Sequence, residues 1–121
     1  MTDERYLLGR VGEELAATTL VRLGYIIVAR RYRTERGDID IVAEEGETLV
    51  FVEVRARASG DCGTAAESVT GQKKRQVARM ARDYLSLHDI SGRACRFDVV
   101  AIDCALSAEP EVTVYRDAFD A

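Results

Sequence analysis

The chain has 121 residues, enough for one domain with a real core and too few for two comfortable ones. Lys and Arg number 17 against 21 Asp and Glu, a net charge of −4, so there is no global pull toward nucleic acid or anionic membrane and any such binding needs a local patch. Three cysteines (Cys62, Cys95 and Cys104) without CxxC spacing, and a lone His88, argue against a zinc site. Residues 1–5 lack the basic-then-apolar pattern of a signal peptide, and no apolar run approaches the roughly 20 residues that span a bilayer. The expectation is a reduced, cytoplasmic, single-domain protein over residues 1–121, with its cysteines as small core residues and no membrane partner.

In chain order, residues 4–23 read as a helix. Leu8, Val11, Leu15, Thr19 and Leu23 follow helical spacing, and Gly24 supplies the stop. A neighbouring stripe of Gly9, Glu13, Ala16, Ala17 and Leu20 is small enough to sit close to a sheet, with Glu13 at the edge of that contact. Glu14 falls with Arg10 and Thr18 on the solvated side. Residues 25–33 read as a strand ending in Arg30, Arg31 and Arg33.

Residues 37–57, GDIDIVAEEGETLVFVEVRAR, read as a β-hairpin. Asp38 and Asp40 alternate with Ile39 and Ile41, which predicts both acids on one face and both isoleucines on the other. Gly46 can take a positive φ in the turn. Leu49 and Phe51 point one way, Val50, Val52 and Val54 the other, so the second strand is apolar on both faces and central. Glu53 and Arg55 extend the Leu49/Phe51 face, and charge there is costly to desolvate without a partner or a task.

Residues 58–70, rich in Ala, Ser, Gly and Thr, read as a loop. A second helix over residues 71–88 follows, with Thr70 as N-cap and Val77, Ala81, Tyr84, Leu85 and His88 as its buried stripe. One turn earlier the same stripe reaches Lys73, which should lean toward the sheet. Lys74, Arg75, Arg79 and Arg82 make the other sides basic. Residues 96–103 and 111–115 read as two further strands. The order α-β-β-β-α-β-β is that of an α/β domain with a mixed central β-sheet flanked by helices.

Asp40 and Glu53 lie on neighbouring strands of the hairpin. Two carboxylates held close repel one another unless they share a proton or a cation, and Mg²⁺ is bound by one or two carboxylates with water and substrate phosphate completing its shell. Arg55 on the same strand face can stabilise charge building on a phosphate oxygen. That set gives metal-assisted phosphodiester hydrolysis a physical rationale. The bland reading is a pair of strand-end acids tied to neighbouring arginines.

Asp40 followed by Glu53-Val54-Arg55 resembles the PD-(D/E)xK pattern of restriction-endonuclease-like nucleases. Across a longer span, Gly9 to Ala16, Gly24-Tyr25, Arg36 to Asp40, Phe51 to Arg55, Lys73 and Arg96 to Val100 resemble, in order, the YraN family of bacterial proteins, itself similar in fold to archaeal Holliday-junction resolvases. The resemblance implies a restriction-endonuclease-like fold and a Mg²⁺- or Mn²⁺-dependent endonuclease acting on DNA, branched or flapped structures included. It makes Asp40 and Glu53 metal ligands, joined by the Val54 carbonyl, with Glu13 as accessory acid. Lys73 becomes a phosphate-facing base at the head of a nucleic-acid-binding helix with Lys74, Arg75 and Arg79. A homodimer is also implied, with no interface identified.

Arg55 departs from the pattern, which wants Lys. A guanidinium stays protonated, so it holds phosphate but cannot take a proton from water. Two other readings therefore stand beside the nuclease: a nucleic-acid-binding module with little or no catalysis on the same fold, and a protein-interaction domain whose basic helix is paired off by surface acids. Asp98, interrupting an apolar strand, is expected to fix it through a buried ion pair or hydrogen bond. Arg30, Arg31, Arg33 and Arg36 are candidates to extend the basic helix face, and His88 to cap the helix or pack at its end.

Overall fold

The computed structural model describes residues 3–58 and 64–119. Among these the chain runs α1 (Glu4–Arg22), β1 (Ile26–Thr34), β2 (Gly37–Glu45), β3 (Thr48–Ala56), α2 (Thr64–Glu67), α3 (Gly71–Leu87), β4 (Cys95–Asp103) and β5 (Glu111–Tyr115). The strands make one sheet in the order β1-β2-β3-β4-β5; β3 and β4 are parallel and the other neighbours antiparallel. This is the expected mixed sheet flanked by helices, with one addition. The single turn α2 lies within the segment expected to be loop, where the Ala65 N–H donates to Asp103 Oδ1 at 3.0 Å. Residues 59–63 of that segment lie outside the described residues.

Strand β3 is central because both of its faces are covered. Val50 and Val52 pack with Ala16, Ala17 and Leu20 of α1, while Leu49 and Phe51 pack with Val77, Met80 and Tyr84 of α3. Each such fully buried aliphatic or aromatic side chain contributes about 1.5–3 kcal/mol, so these two layers fix where β3 carries its charged end. The close seat of α1 depends on Gly12, since a Cβ there would lie 2.8 Å from Ala56 Cβ. The small-residue stripe therefore begins at Gly12; Gly9, expected to belong to it, is exposed with open space beside it.

Helix α3 is capped as expected, Thr70 Oγ1 accepting the Lys73 N–H at 3.1 Å. Val77, Ala81 and Tyr84 are buried. His88 caps the C-terminus, its Nδ1–H donating to the Tyr84 carbonyl oxygen at 2.9 Å and its ring stacking on Tyr84, but it is exposed rather than part of the buried stripe. At the other side of α3, Gln76 Nε2 donates to the Arg36 carbonyl at 2.7 Å, which holds the helix against the turn into β2. Gly37 in that turn has φ +133°, and a Cβ on it would lie 3.0 Å from Gln76 Nε2.

Two further expectations fail. Ile39 and Ile41 do not share a face: Ile41 packs on the α1 side and Ile39 on the α3 side. The alternation breaks at Asp40, and Arg31, between the Arg30–Ile41 and Tyr32–Ile39 pairs of the neighbouring strand, sits at a left-handed φ of 51° that turns β1 over with it. Nor are the cysteines core residues. Cys95 is exposed where β4 begins, and Cys104 is half-buried in the turn that ends β4, at φ 55°; Cys62 lies outside the described residues.

Asp98 behaves as expected. It is fully buried and accepts from Arg96 Nε at 2.8 Å, Tyr25 Oη at 2.7 Å and the Asp117 N–H at 2.9 Å. Burial, then the bond to Asp98, pushes the Tyr25 phenol up to about 12. This network ties β4 to the start of β1 and to the segment after β5; in the β3–β4 register Asp98 lies opposite Val52, the residue before Glu53.

Candidate metal and nucleic-acid site

The β2–β3 register pairs Ile41 with Val52, and so brings Asp40 and Glu53 opposite one another where the ladder ends. Asp40 takes over where the next backbone bond would be, its Oδ2 accepting the Val54 N–H at 2.8 Å. Fixed in this way, its carboxylate stands beside that of Glu53 across the end of the ladder. Glu53 is only 4% exposed and faces α3, where Lys73 Nζ lies 3.4 Å from its Oε2. Burial, then the hydrogen bond and charge of Asp40, push the Glu53 carboxyl up to about 9, against the opposing pull of Lys73 and Arg55. At neutral pH Glu53 therefore holds its proton.

A cleft of about 620 Å³ opens beside Asp40 on the α1 side, lined by Gly12, Glu13, Arg31, Asp38, Val54 and Arg55 among others. Glu13 reaches it as expected, because Gly12 lets α1 approach β3 one residue earlier. Its carboxylate is engaged: Oε1 accepts from Arg30 Nε at 3.0 Å and Oε2 from Arg31 Nε, while Arg30 Nη2 binds Glu14 at 2.7 Å. Among the described residues no group of three or more His, Cys, Asp or Glu is placed to hold a metal. Glu13 is thus a cleft acid held by two arginines and does not join Asp40 and Glu53.

Arg55 extends the Glu53 face as expected, but its Nε donates to Ser68 Oγ at 2.9 Å, and Ser68 Oγ donates in turn to the Ala65 carbonyl at 2.6 Å. Sequence reasoning missed Ser68 as a partner, since nothing in the spacing of a short polar segment marks which of its hydroxyls will meet β3.

The basic residues divide. Arg75, Arg79 and Arg82 on α3 are exposed, and Lys74 Nζ lies 5.9 Å over the Phe119 ring. The arginines expected to extend this face are internally matched instead: Arg30 and Arg31 with Glu13, Arg33 with Asp38 at 3.4 Å, and Arg36 with Asp83 at 3.0 Å. Exposed pairs of this kind are worth about 0–1 kcal/mol, so a phosphate can displace them, but at rest they add no net positive field.

The donor set suits a hard divalent cation. Two neighbouring carboxylates, one of them buried, offer oxygen ligands only, which suits Mg²⁺ or Mn²⁺. Asp40 and Glu53 would hold it, leaving the remaining positions to water and a substrate oxygen.

A mixed five-stranded sheet, a helix on each face and paired acids at the open end of the β2–β3 hairpin define a restriction-endonuclease-like α/β protein. The model of the family described as "Uncharacterised protein family UPF0102" matches residues 12–102, the span holding Glu13, Asp40, Glu53, Arg55 and Lys73. A UPF0102 protein of Moorella thermoacetica is 49% identical over 102 residues, 84% of this chain and 85% of its own length. One from Anaeromyxobacter dehalogenans is 46% identical over 118 residues, 98% and 87% of the two chains, and one from Chlorobium phaeobacteroides is 38% identical over 126 residues, 100% and 99%. The chain belongs to the UPF0102 family.

Proposed function

We propose that this protein is a Mg²⁺- or Mn²⁺-dependent endonuclease acting on DNA phosphodiester bonds, branched or flapped DNA included. The observation that carries the reading is the juxtaposition of Asp40 with the buried Glu53 across the open end of the β2–β3 ladder, two carboxylates where a cation would find oxygen ligands. A bound divalent cation would supply Lewis acidity at the phosphate and lower the pKa of the attacking water. Asp40, anchored on the Val54 N–H, and Glu53, walled by α3, fix where that happens. In the reaction water adds to phosphorus, the bond to the leaving oxygen breaks, and that oxygen takes up a proton. The exposed Arg75 and Arg79 of α3 supply the phosphate-tracking charge. Incubation of purified protein with branched, flapped and single-stranded DNA plus Mn²⁺ is expected to give cleavage that Asp40→Ala and Glu53→Ala abolish. Cleavage persisting in both variants would mean a contaminant and end this reading.

A second reading is a nucleic-acid-binding module without turnover. It is favoured by Arg55, which cannot accept a proton, and by the capture of Glu13 by Arg30 and Arg31. Salt-sensitive, metal-independent binding with no cleavage of any of these substrates is its signature.

A further inference from the structure

A row of residues crosses the sheet from the acid pair toward β5. The β3–β4 register sets Glu53 opposite Val99, and the β4–β5 register sets Val99 opposite Tyr115. Residues paired in this way project from the same face, and neighbouring strands lie about 4.8 Å apart, so Tyr115 stands about 10 Å from Glu53 along the row. Helix α3 packs on β1, β2 and β3, and α2 on β3 and β4, which leaves the β4–β5 end of this face partly uncovered. A cavity of about 500 Å³ opens there. Val99 is its floor, and Val69, Tyr115 and Phe119 are its apolar walls.

The charge on the lining is of one sign. Lys74 and Arg116 are its cations, and among the described residues it has no acid. Arg116 is committed to Glu45, which accepts from its Nε at 3.2 Å and its Nη2 at 2.7 Å. Lys74, whose Nζ lies 5.9 Å over the Phe119 ring, is the cation at the rim. An apolar slot with such a rim, in a chain of net charge −4, suits a flat apolar body that carries an anion, and a nucleotide is one. Tyr115 is 40% exposed, which leaves ring surface for a base to stack on. A base within a duplex must leave its stack to enter, whereas an unpaired base enters without that cost.

We propose that this cavity receives an unpaired base of the strand whose phosphate lies at Asp40 and Glu53, with Tyr115 as its stacking surface and Lys74 on the adjoining phosphate. The proposal rests on the DNA-directed function above. It narrows the substrate to DNA with unpaired nucleotides beside the bond that is cut, as in a flap or a strand end. Binding is by stacking and charge alone and forms no covalent bond.

The test uses the full chain in Ca²⁺, so that affinity is read without turnover, with labelled single-stranded DNA, a flapped duplex and a blunt duplex as probes. Wild type should bind the single-stranded and flapped probes about tenfold more tightly than the blunt duplex. Tyr115→Ala should remove that preference and bind the blunt duplex within about twofold of wild type, while Tyr115→Phe keeps the preference. A single abasic residue moved along the flap probes the cavity without altering the protein. At one position it should weaken wild type about tenfold and leave Tyr115→Ala nearly unchanged. A Tyr115→Ala protein that keeps the preference, or an abasic series with no sensitive position, overturns this inference and leaves the proposed function standing. So does a loss of equal size on all three probes. A wild-type protein that binds none of them overturns the proposed function, and this inference with it.

Discussion

Replacing Glu53 by Gln keeps the shape of the side chain and removes its need for a proton. In the folded protein burial and Asp40 raise the Glu53 pKa from 4.5 to about 9. The unfolded chain ionises this group near its ordinary value, so between roughly pH 4.5 and 9 the folded state holds one more proton and stability falls as pH rises. The favourable contribution is complete below the lower value and gone above the upper one. One pKa unit is about 1.4 kcal/mol. The pull of Lys73 and Arg55 is already contained in that value, so the penalty at pH 8 is on the order of 5 kcal/mol. Glu53→Gln should therefore stabilise the metal-free protein at pH 8, raising Tm by about 10–20 °C, and change it little at pH 5. Denaturant melts of both proteins across that range read the difference directly. A variant that gains nothing at pH 8, or gains as much at pH 5, would refute the claim that Glu53 is held protonated by its surroundings.

Asp98→Asn takes the buried carboxylate from Arg96, which keeps Glu45 at 2.7 Å, and weakens the Tyr25 and Asp117 bonds, so urea denaturation should show a loss of about 1–3 kcal/mol. Gly12→Ala drives a Cβ to 2.8 Å from Ala56 Cβ and must push α1 off β3; a loss of about 1–3 kcal/mol is expected, together with weaker activity because Glu13 and Arg31 move with the cleft wall. Saturating Mn²⁺ should raise Tm in wild type, by about 2.7 kcal/mol of stability at a hundredfold excess over Kd, and leave Asp40→Ala unmoved.

The sheet and its acids were legible because they obey simple periods. Alternation placed Leu49 and Phe51 opposite Val50 and Val52, and so put Glu53 and Arg55 on the α3 face, where they lie. Helical spacing carried Lys73 inward to Glu53. The same alternation misled at Ile39 and Ile41, since a left-handed residue on the neighbouring strand, Arg31, is a tertiary event that no local pattern announces. Partner choice was likewise hidden. Glu13 was correctly read as facing inward, but which cations would meet it depends on where β1 ends up, seventeen residues and more along the chain. Gly9 looked as good a contact residue as Gly12, and only the crossing of α1 over Ala56 distinguishes them.

The central claim is that a divalent cation binds between Asp40 and Glu53 in exchange for the Glu53 proton. Titration calorimetry with Mn²⁺ at pH 7, repeated in two buffers of different ionisation enthalpy, tests it most directly. Wild type should bind one Mn²⁺ per chain and release about one proton as it does so, while Asp40→Ala gives no binding heat. No heat in wild type, or an Asp40→Ala titration with the same affinity and proton count, would contradict the account.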